Sequence, residues 1–196
     1  MERKMDKIIL ASGSPRRKQL LELAEIPFEV MVSEIDENYP PELSPAEIAI
    51  HIASNKALTI QKRLLNENND NGQTIVGADT LVILGNKIIG KPSDRKNAIA
   101  ILTKLSGRIH KVITGVCILS GSGKKVFSEE TEVEFHKLSL SQIEYYVDNC
   151  KPYDKAGAYA IQEWIGVVGV KSIDGDFYNV MGLPVSRVMK FLVHSS

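Results

Sequence analysis

Arg16, Arg17 and Lys18 place three cations in the first turn of an expected helix, at the end of the helix dipole that favours acids. They follow Ser12, Gly13, Ser14 and Pro15, which read as a tight loop, an N-cap and a proline suited to the first helical position. Each such charge opposes the dipole by roughly 0.3–1 kcal/mol at an exposed site. A bound anion removes the conflict. Free backbone N–H groups, the hydroxyls of Ser12 and Ser14 and two guanidinium groups together make a polyphosphate site. The competing reading is ordinary surface, with long cationic side chains bending away into water.

Lys56 falls inside an apolar stripe formed by Ala49, Ile52, Ala53, Ala57, Ile60 and Leu64 at helical spacing. A lysine there either snorkels to an edge or points at an anionic partner. Asp79 interrupts the β-type run Thr74 to Leu84, where a buried carboxylate is costly unless paired, hydrogen-bonded or bound to a metal. Its alternative is a surface bend between two strands at Asp79-Thr80. Glu34, Asp36 and Glu37 can ligate a divalent cation or simply be solvated. Lys91 stands on the rigid turn Gly90-Lys91-Pro92, and Asp154 to Gln162 is a polar, glycine-containing loop able to read a base or ribose. The four histidines lack metal-ligand spacing, and neither a P-loop nor a Rossmann glycine pattern is present.

The elements that must position these groups follow from pattern. Ile8–Ala11 reads as a buried strand and Phe28–Ser33 as a second. A long helix runs from about Pro45 to Leu65, with Ser44 and Glu47 as a capping box. Thr74–Leu84 and Lys87–Gly90 pair across Gly85-Asn86, and a helix spans Asp94–Leu105. Val112–Leu119 and Lys125–Phe135 form a hairpin, Ser141–Cys150 is helical, Gly166–Ile173 is β-like and Pro184–Val193 is a final helix. Alternating elements followed by paired strands predict an α/β fold with a mixed sheet.

Twenty-four basic and twenty-four acidic residues leave no net charge, which argues against binding long nucleic acid or an anionic membrane but not against a small anion. Cys117 and Cys150 form no metal or redox motif, and no signal peptide or membrane span is read, so a reduced, cytoplasmic chain is expected.

Taken in order, Ile8–Arg17, Lys56-Ala57, Val76–Thr80, Gly90–Pro92, Leu105–His110, Asp154–Gln162 and Gly182–Pro184 resemble the Maf family, also called septum-formation proteins. The ordered set spans nearly the whole chain and is specific where each piece alone is not. The resemblance implies one domain over residues 1–196, with a mixed sheet and two lobes around a central nucleotide cleft, similar to inosine triphosphate pyrophosphatases. It implies a nucleoside triphosphate pyrophosphatase that uses Mg²⁺ or Mn²⁺ and releases a nucleoside monophosphate and pyrophosphate.

Arg16, Thr80 and Gln162 match the members acting on dTTP and UTP, rather than the sister group acting on 7-methyl-GTP. By the same likeness Asp79 is the catalytic base. Ser12, Arg17, Lys56 and Lys91 hold phosphates, and Glu37, Asp36 and Asp79 hold the metal. A nucleotide is the expected partner and a homodimer the family expectation, with no nucleic acid and no membrane. The competing functions are hydrolysis of 7-methyl-GTP or another purine triphosphate, and a non-hydrolysing, nucleotide-binding regulator of cell division. Two features depart from the family pattern. Glu163 follows Gln162 where many relatives have glycine, and Gly121–Lys124 matches no motif.

Overall fold

The computed structural model describes residues 6–33, 35–68 and 72–194, so Glu34 of the acidic segment lies outside the described residues. The chain is α/β, and the described residues form seven strands in one mixed sheet of order β2-β1-β3-β5-β6-β7, with β4 paired to β3. The strands are β1 (Ile8–Leu10), β2 (Phe28–Val30), β3 (Ile75–Leu84), β4 (Lys87–Ile89), β5 (Ile109–Ser120), β6 (Gly123–Phe135) and β7 (Val170–Asp174). The helices are α1 (Pro15–Leu23), α2 (Pro45–Asn66), α3 (Arg95–Leu105), α4 (Leu140–Cys150), α5 (Trp164–Gly169), α6 (Phe177–Met181) and α7 (Val185–His194). A 3-10 turn occupies Ala156–Ala158.

Two compact units divide these elements. The first comprises the described residues up to Asp79, Thr114–Glu129 and those from Gly182 onward; the second comprises Thr80–Ile113 and Glu130–Met181. In the first unit β1 pairs parallel with both β2 and β3, the arrangement that βαβ connections produce. Its core gathers Ile9 and Ala11, the Ala53, Ala57, Ile60 and Leu64 face of α2, and Ile75, Cys117 and Leu119 from the strands. α2 starts as its sequence requires: the Ser44 hydroxyl accepts from the Glu47 N–H, and the Glu47 carboxylate accepts from the Ser44 N–H at 2.9 Å.

In the second unit β3 pairs antiparallel with β4, and β6 with β7. α3 packs against α4, where Arg95 forms a bidentate pair with Asp148 at 2.6 and 2.9 Å. Asn179 of α6 donates to the Val112 carbonyl and to Thr131 Oγ1, both at 3.0 Å.

The run Gly166–Ile173 is not a strand throughout. Trp164–Gly169 is helical and only Val170–Asp174 joins the sheet. The Gly166 and Val167 N–H groups both donate to the Glu163 carbonyl. A side chain at Gly166 would stand 1.7 Å from the Ile161 carbonyl oxygen, so this turn accepts only glycine there. Ile165 and Gly169, four residues apart, are both buried, and that packing outweighs the β preference of Ile165, Val167 and Val168. Among the described residues no helix is long and apolar enough to cross a membrane.

Candidate functional site

Gly77 determines where Lys56 points. A β-carbon on Gly77 would lie 2.3 Å from the Ala53 carbonyl oxygen and 3.1 Å from the Ala57 nitrogen, so α2 sits directly on β3 at that residue. Ala53 and Ala57 form the small-residue face that allows this approach. Asp79 is two residues beyond Gly77, hence on the same face of the strand, and Lys56 adjoins the two alanines on the helix. Lys56 Nζ consequently donates to Asp79 Oδ1 at 2.7 Å and to Glu37 Oε1 at 2.8 Å.

β3 is continuous through Asp79, which is buried, so the surface-bend alternative is excluded. The snorkelling alternative for Lys56 is excluded as well, because its amine bridges two carboxylates. The Lys56 and Asp79 side chains retain 13% and 11% exposure and that of Glu37 46%, so one arm of this bridge is shielded and the other wet.

Arg17 is buried at the start of α1. Its Nε donates to the Gly182 carbonyl at 2.8 Å and its Nη1 to Ser12 Oγ at 2.9 Å. Burial pushes its pKa below the ordinary guanidinium value. Asp79 opposes that shift, neighbouring Arg16 adds to it, and Glu37 opposes it more weakly. Guanidinium groups stay charged in proteins, so three cations, Arg16, Arg17 and Lys56, meet two carboxylates here. Ser14 occupies the N-cap position, yet no side chain caps α1, and no acid stands in its first turn. The Ser14 N–H instead donates to Ser12 Oγ at 3.3 Å.

Of the residues expected to act together, the first unit holds Ser12, Arg16, Arg17, Asp36, Glu37, Lys56 and Asp79, and the second holds Thr80, Lys91 and Gln162. Asp36 is exposed and accepts from Asn38 Nδ2. Among the described residues no three His, Cys, Asp or Glu side chains gather to hold a metal ion, so Asp36, Glu37 and Asp79 do not form such a set. In the second unit Thr80 is half-buried on β3, while Lys91 and Gln162 are exposed on loops. The loop bearing Gln162 is fastened to the Lys91 turn by the Gly157 N–H, which donates to the Gly90 carbonyl at 3.2 Å. Gly157 has φ +71° and lies against Val82, where a β-carbon would be at 3.0 Å.

Sequence reasoning missed several supports. Gly182 supplies a backbone acceptor, which residue type cannot reveal. Tyr146 resembles any core aromatic, although its hydroxyl holds the Gln162 loop. The sequence signal at that point is Glu163, the acid that follows Gln162.

The chain matches the family described as Maf-like protein over residues 7–195 and belongs to that family. Three relatives, each named dTTP/UTP pyrophosphatase, are similar along most of their length. The Parabacteroides distasonis protein is 47% identical over 189 residues, covering 96% of this chain and 95% of its own. The Cytophaga hutchinsonii protein is 48% identical over 182 residues, covering 93% and 81%. The Bacillus mycoides protein is 46% identical over 188 residues, covering 96% and 95%.

Proposed function

We propose that this protein hydrolyses dTTP and UTP at the α–β phosphoanhydride, releasing the nucleoside monophosphate and pyrophosphate. The names of its relatives support the substrate, and the buried Asp79–Lys56 pair supports the chemistry. A shielded carboxylate held by an ammonium, beside a buried arginine, is a costly arrangement for a fold alone and a useful one for phosphoryl transfer.

In this reading Asp79 takes the proton of a water whose oxygen attacks the α-phosphorus. The bond from that phosphorus to the bridging oxygen breaks, and pyrophosphate leaves. Ser12, Arg17, Lys56 and Lys91 hold phosphate oxygens, while Arg16, Thr80 and Gln162 select the base. These roles fall within a single Maf-like domain.

The donor set suits a hard divalent cation such as Mg²⁺ or Mn²⁺. Asp79 and Glu37 already converge on one cation, the Lys56 amine, and both offer carboxylate oxygens. Two protein carboxylates, with phosphate and water completing the shell, is the usual pattern for Mg²⁺ at nucleotide sites. Such an ion would neutralise phosphate charge and acidify bound water. Asp36, turned to Asn38, is the weakest member of the expected set. The cysteines are free, which suits the reducing cytoplasm where nucleotide pools lie.

The test is pyrophosphate release from a panel of pyrimidine and purine triphosphates with Mg²⁺ or Mn²⁺. Turnover of dTTP and UTP is expected, with Asp79→Asn lowering kcat by about 10²–10⁴-fold in a protein that circular dichroism shows to be folded at the assay temperature. Preference for 7-methyl-GTP, or tight dTTP binding without product, would replace this reading by one of its competitors.

A further inference from the structure

Gln162 carries a primary amide, which both donates and accepts hydrogen bonds. Thymine and uracil present an acceptor oxygen at position 4, where cytosine presents an amino donor. A freely moving amide can satisfy either base by turning over. Discrimination therefore depends on how firmly Gln162 is held as much as on its identity.

The second unit contains a device that holds it. Tyr146 is fully buried on α4, and its hydroxyl touches the chain on both sides of Gln162. It accepts from the Ala160 N–H at 3.2 Å and donates to Glu163 Oε2. The Glu163 N–H closes a turn onto the Ala160 carbonyl at 3.1 Å. The other carboxylate oxygen of Glu163 faces Lys155 Nζ at 3.5 Å, and that nearly buried lysine bonds Asp154 at 2.7 Å, so both ends of the loop are tied together. Neighbouring side chains repeat the grip: the rings of Tyr145 on α4 and Trp164 on α5 pack with centroids 4.9 Å apart. Burial first, and then the Glu163 carboxylate, push the Tyr146 pKa well above the ordinary phenol value, so the donor stays protonated at any physiological pH.

We propose that Tyr146 and Glu163 are positioning residues that hold Gln162 to read thymine or uracil, an inference that rests on the dTTP/UTP reading above. Glu163 is then the acceptor that completes the clamp.

The experiment compares wild type, Tyr146→Phe, Glu163→Ala, Glu163→Gln and Gln162→Ala in pyrophosphate release from dTTP and CTP. Loss of the clamp in Tyr146→Phe and Glu163→Ala is expected to raise KM for dTTP about tenfold and to lower the dTTP-over-CTP preference by a similar factor. Their kcat on dTTP should stay within about threefold of wild type. Glu163→Gln keeps an acceptor for the Tyr146 hydroxyl and is expected to stay near wild type. Adding Tyr146→Phe to Gln162→Ala should cost nothing further, since the clamp acts through that side chain. Wild-type KM and preference in Tyr146→Phe and Glu163→Ala, even with a lowered melting temperature, would overturn the proposal and leave a purely structural contact. Absence of pyrophosphate release by the wild-type protein would instead refute the pyrophosphatase reading. The two failures are therefore distinguishable.

Discussion

Substituting Gly77 by alanine tests the contact that brings Lys56 to Asp79. The added carbon would lie 2.3 Å from the Ala53 carbonyl oxygen, and ordinary van der Waals contact begins near 3.4 Å. Relief needs about 1 Å of movement between α2 and β3, because both neighbours are backbone and cannot swing aside. Overpacking of this kind costs roughly 1–3 kcal/mol. For a chain of this length that lowers the melting temperature by about 2–12 °C. The same displacement stretches the 2.7 Å Lys56–Asp79 hydrogen bond to about 3.7 Å, beyond useful reach. Misplacing a reacting group by about 1 Å can cost on the order of 10²-fold in rate, so kcat for dTTP should fall by about that factor. Gly115→Ala is the control. Its β-carbon would stand 2.2 Å from the Ala49 carbonyl carbon, about 10 Å along α2 from Lys56. A comparable loss of melting temperature, with about tenfold less loss of kcat, is expected. Thermal unfolding followed by circular dichroism and a pyrophosphate-release assay measure both quantities. A Gly77→Ala protein with wild-type melting temperature and kcat would refute the argument.

Arg17→Lys cannot serve the Gly182 carbonyl and Ser12 Oγ with separate nitrogens; KM for dTTP should rise about tenfold or more, whereas unchanged kinetics would remove Arg17 from phosphate binding. His110 is buried against Phe135 and Tyr159, and burial lowers its pKa to about 4. Below the ordinary value of 6.5 the unfolded chain therefore takes up the proton first, and stability falls as pH falls from about 6.5 to 4, by about 3 kcal/mol in all. Urea unfolding at pH 7 and pH 4.5 should show this loss in wild type and a smaller one in His110→Phe; equal losses would refute the assignment to His110. Chelation should abolish pyrophosphate release, with recovery on adding Mg²⁺ or Mn²⁺, and leave the melting temperature unchanged, because the core of the first unit is apolar. A large drop in melting temperature on chelation would indicate a structural ion instead.

Local features are legible in the sequence wherever both partners lie within a few residues. The Ser44–Glu47 capping box and the Pro15 helix start belong to this kind, as does the stripe of α2. Lys56 shows the limit. Its spacing says which helix face it occupies but not what lies opposite, so snorkelling and a buried partner stay equally open. The signal that separates them is the combination of Gly77 with Ala53 and Ala57, three small residues that let a helix sit on a strand. The α5 helix fails for a related reason. Ile165, Val167 and Val168 favour strand locally, and the burial of Ile165 and Gly169 on one helical face reverses that preference. Tyr146 is illegible because its partners, Ala160 and Glu163, are held by a turn that residue types do not announce.

The unequal exposure of the Lys56 bridge bears on how such a site accepts a charged substrate. The Lys56–Asp79 arm is largely shielded, and removing either partner would strand an uncompensated charge. The Lys56–Glu37 arm is wet at the Glu37 end, where ion pairs are worth only about 0–1 kcal/mol. Glu37 can therefore exchange Lys56 for another cation at little cost, and Lys56 can exchange Glu37 for a phosphate oxygen, while Asp79 keeps its place. Arg17 cannot make that exchange as readily, since its Nε and Nη1 are committed to Gly182 and Ser12. The fixed cation and the fixed carboxylate are thus the residues buried on α1 and β3, and the adjustable carboxylate, Glu37, lies at the solvent edge. A binding surface alone has no need to shield a carboxylate in this way. A base that must keep its position while phosphate, water and metal come and go does.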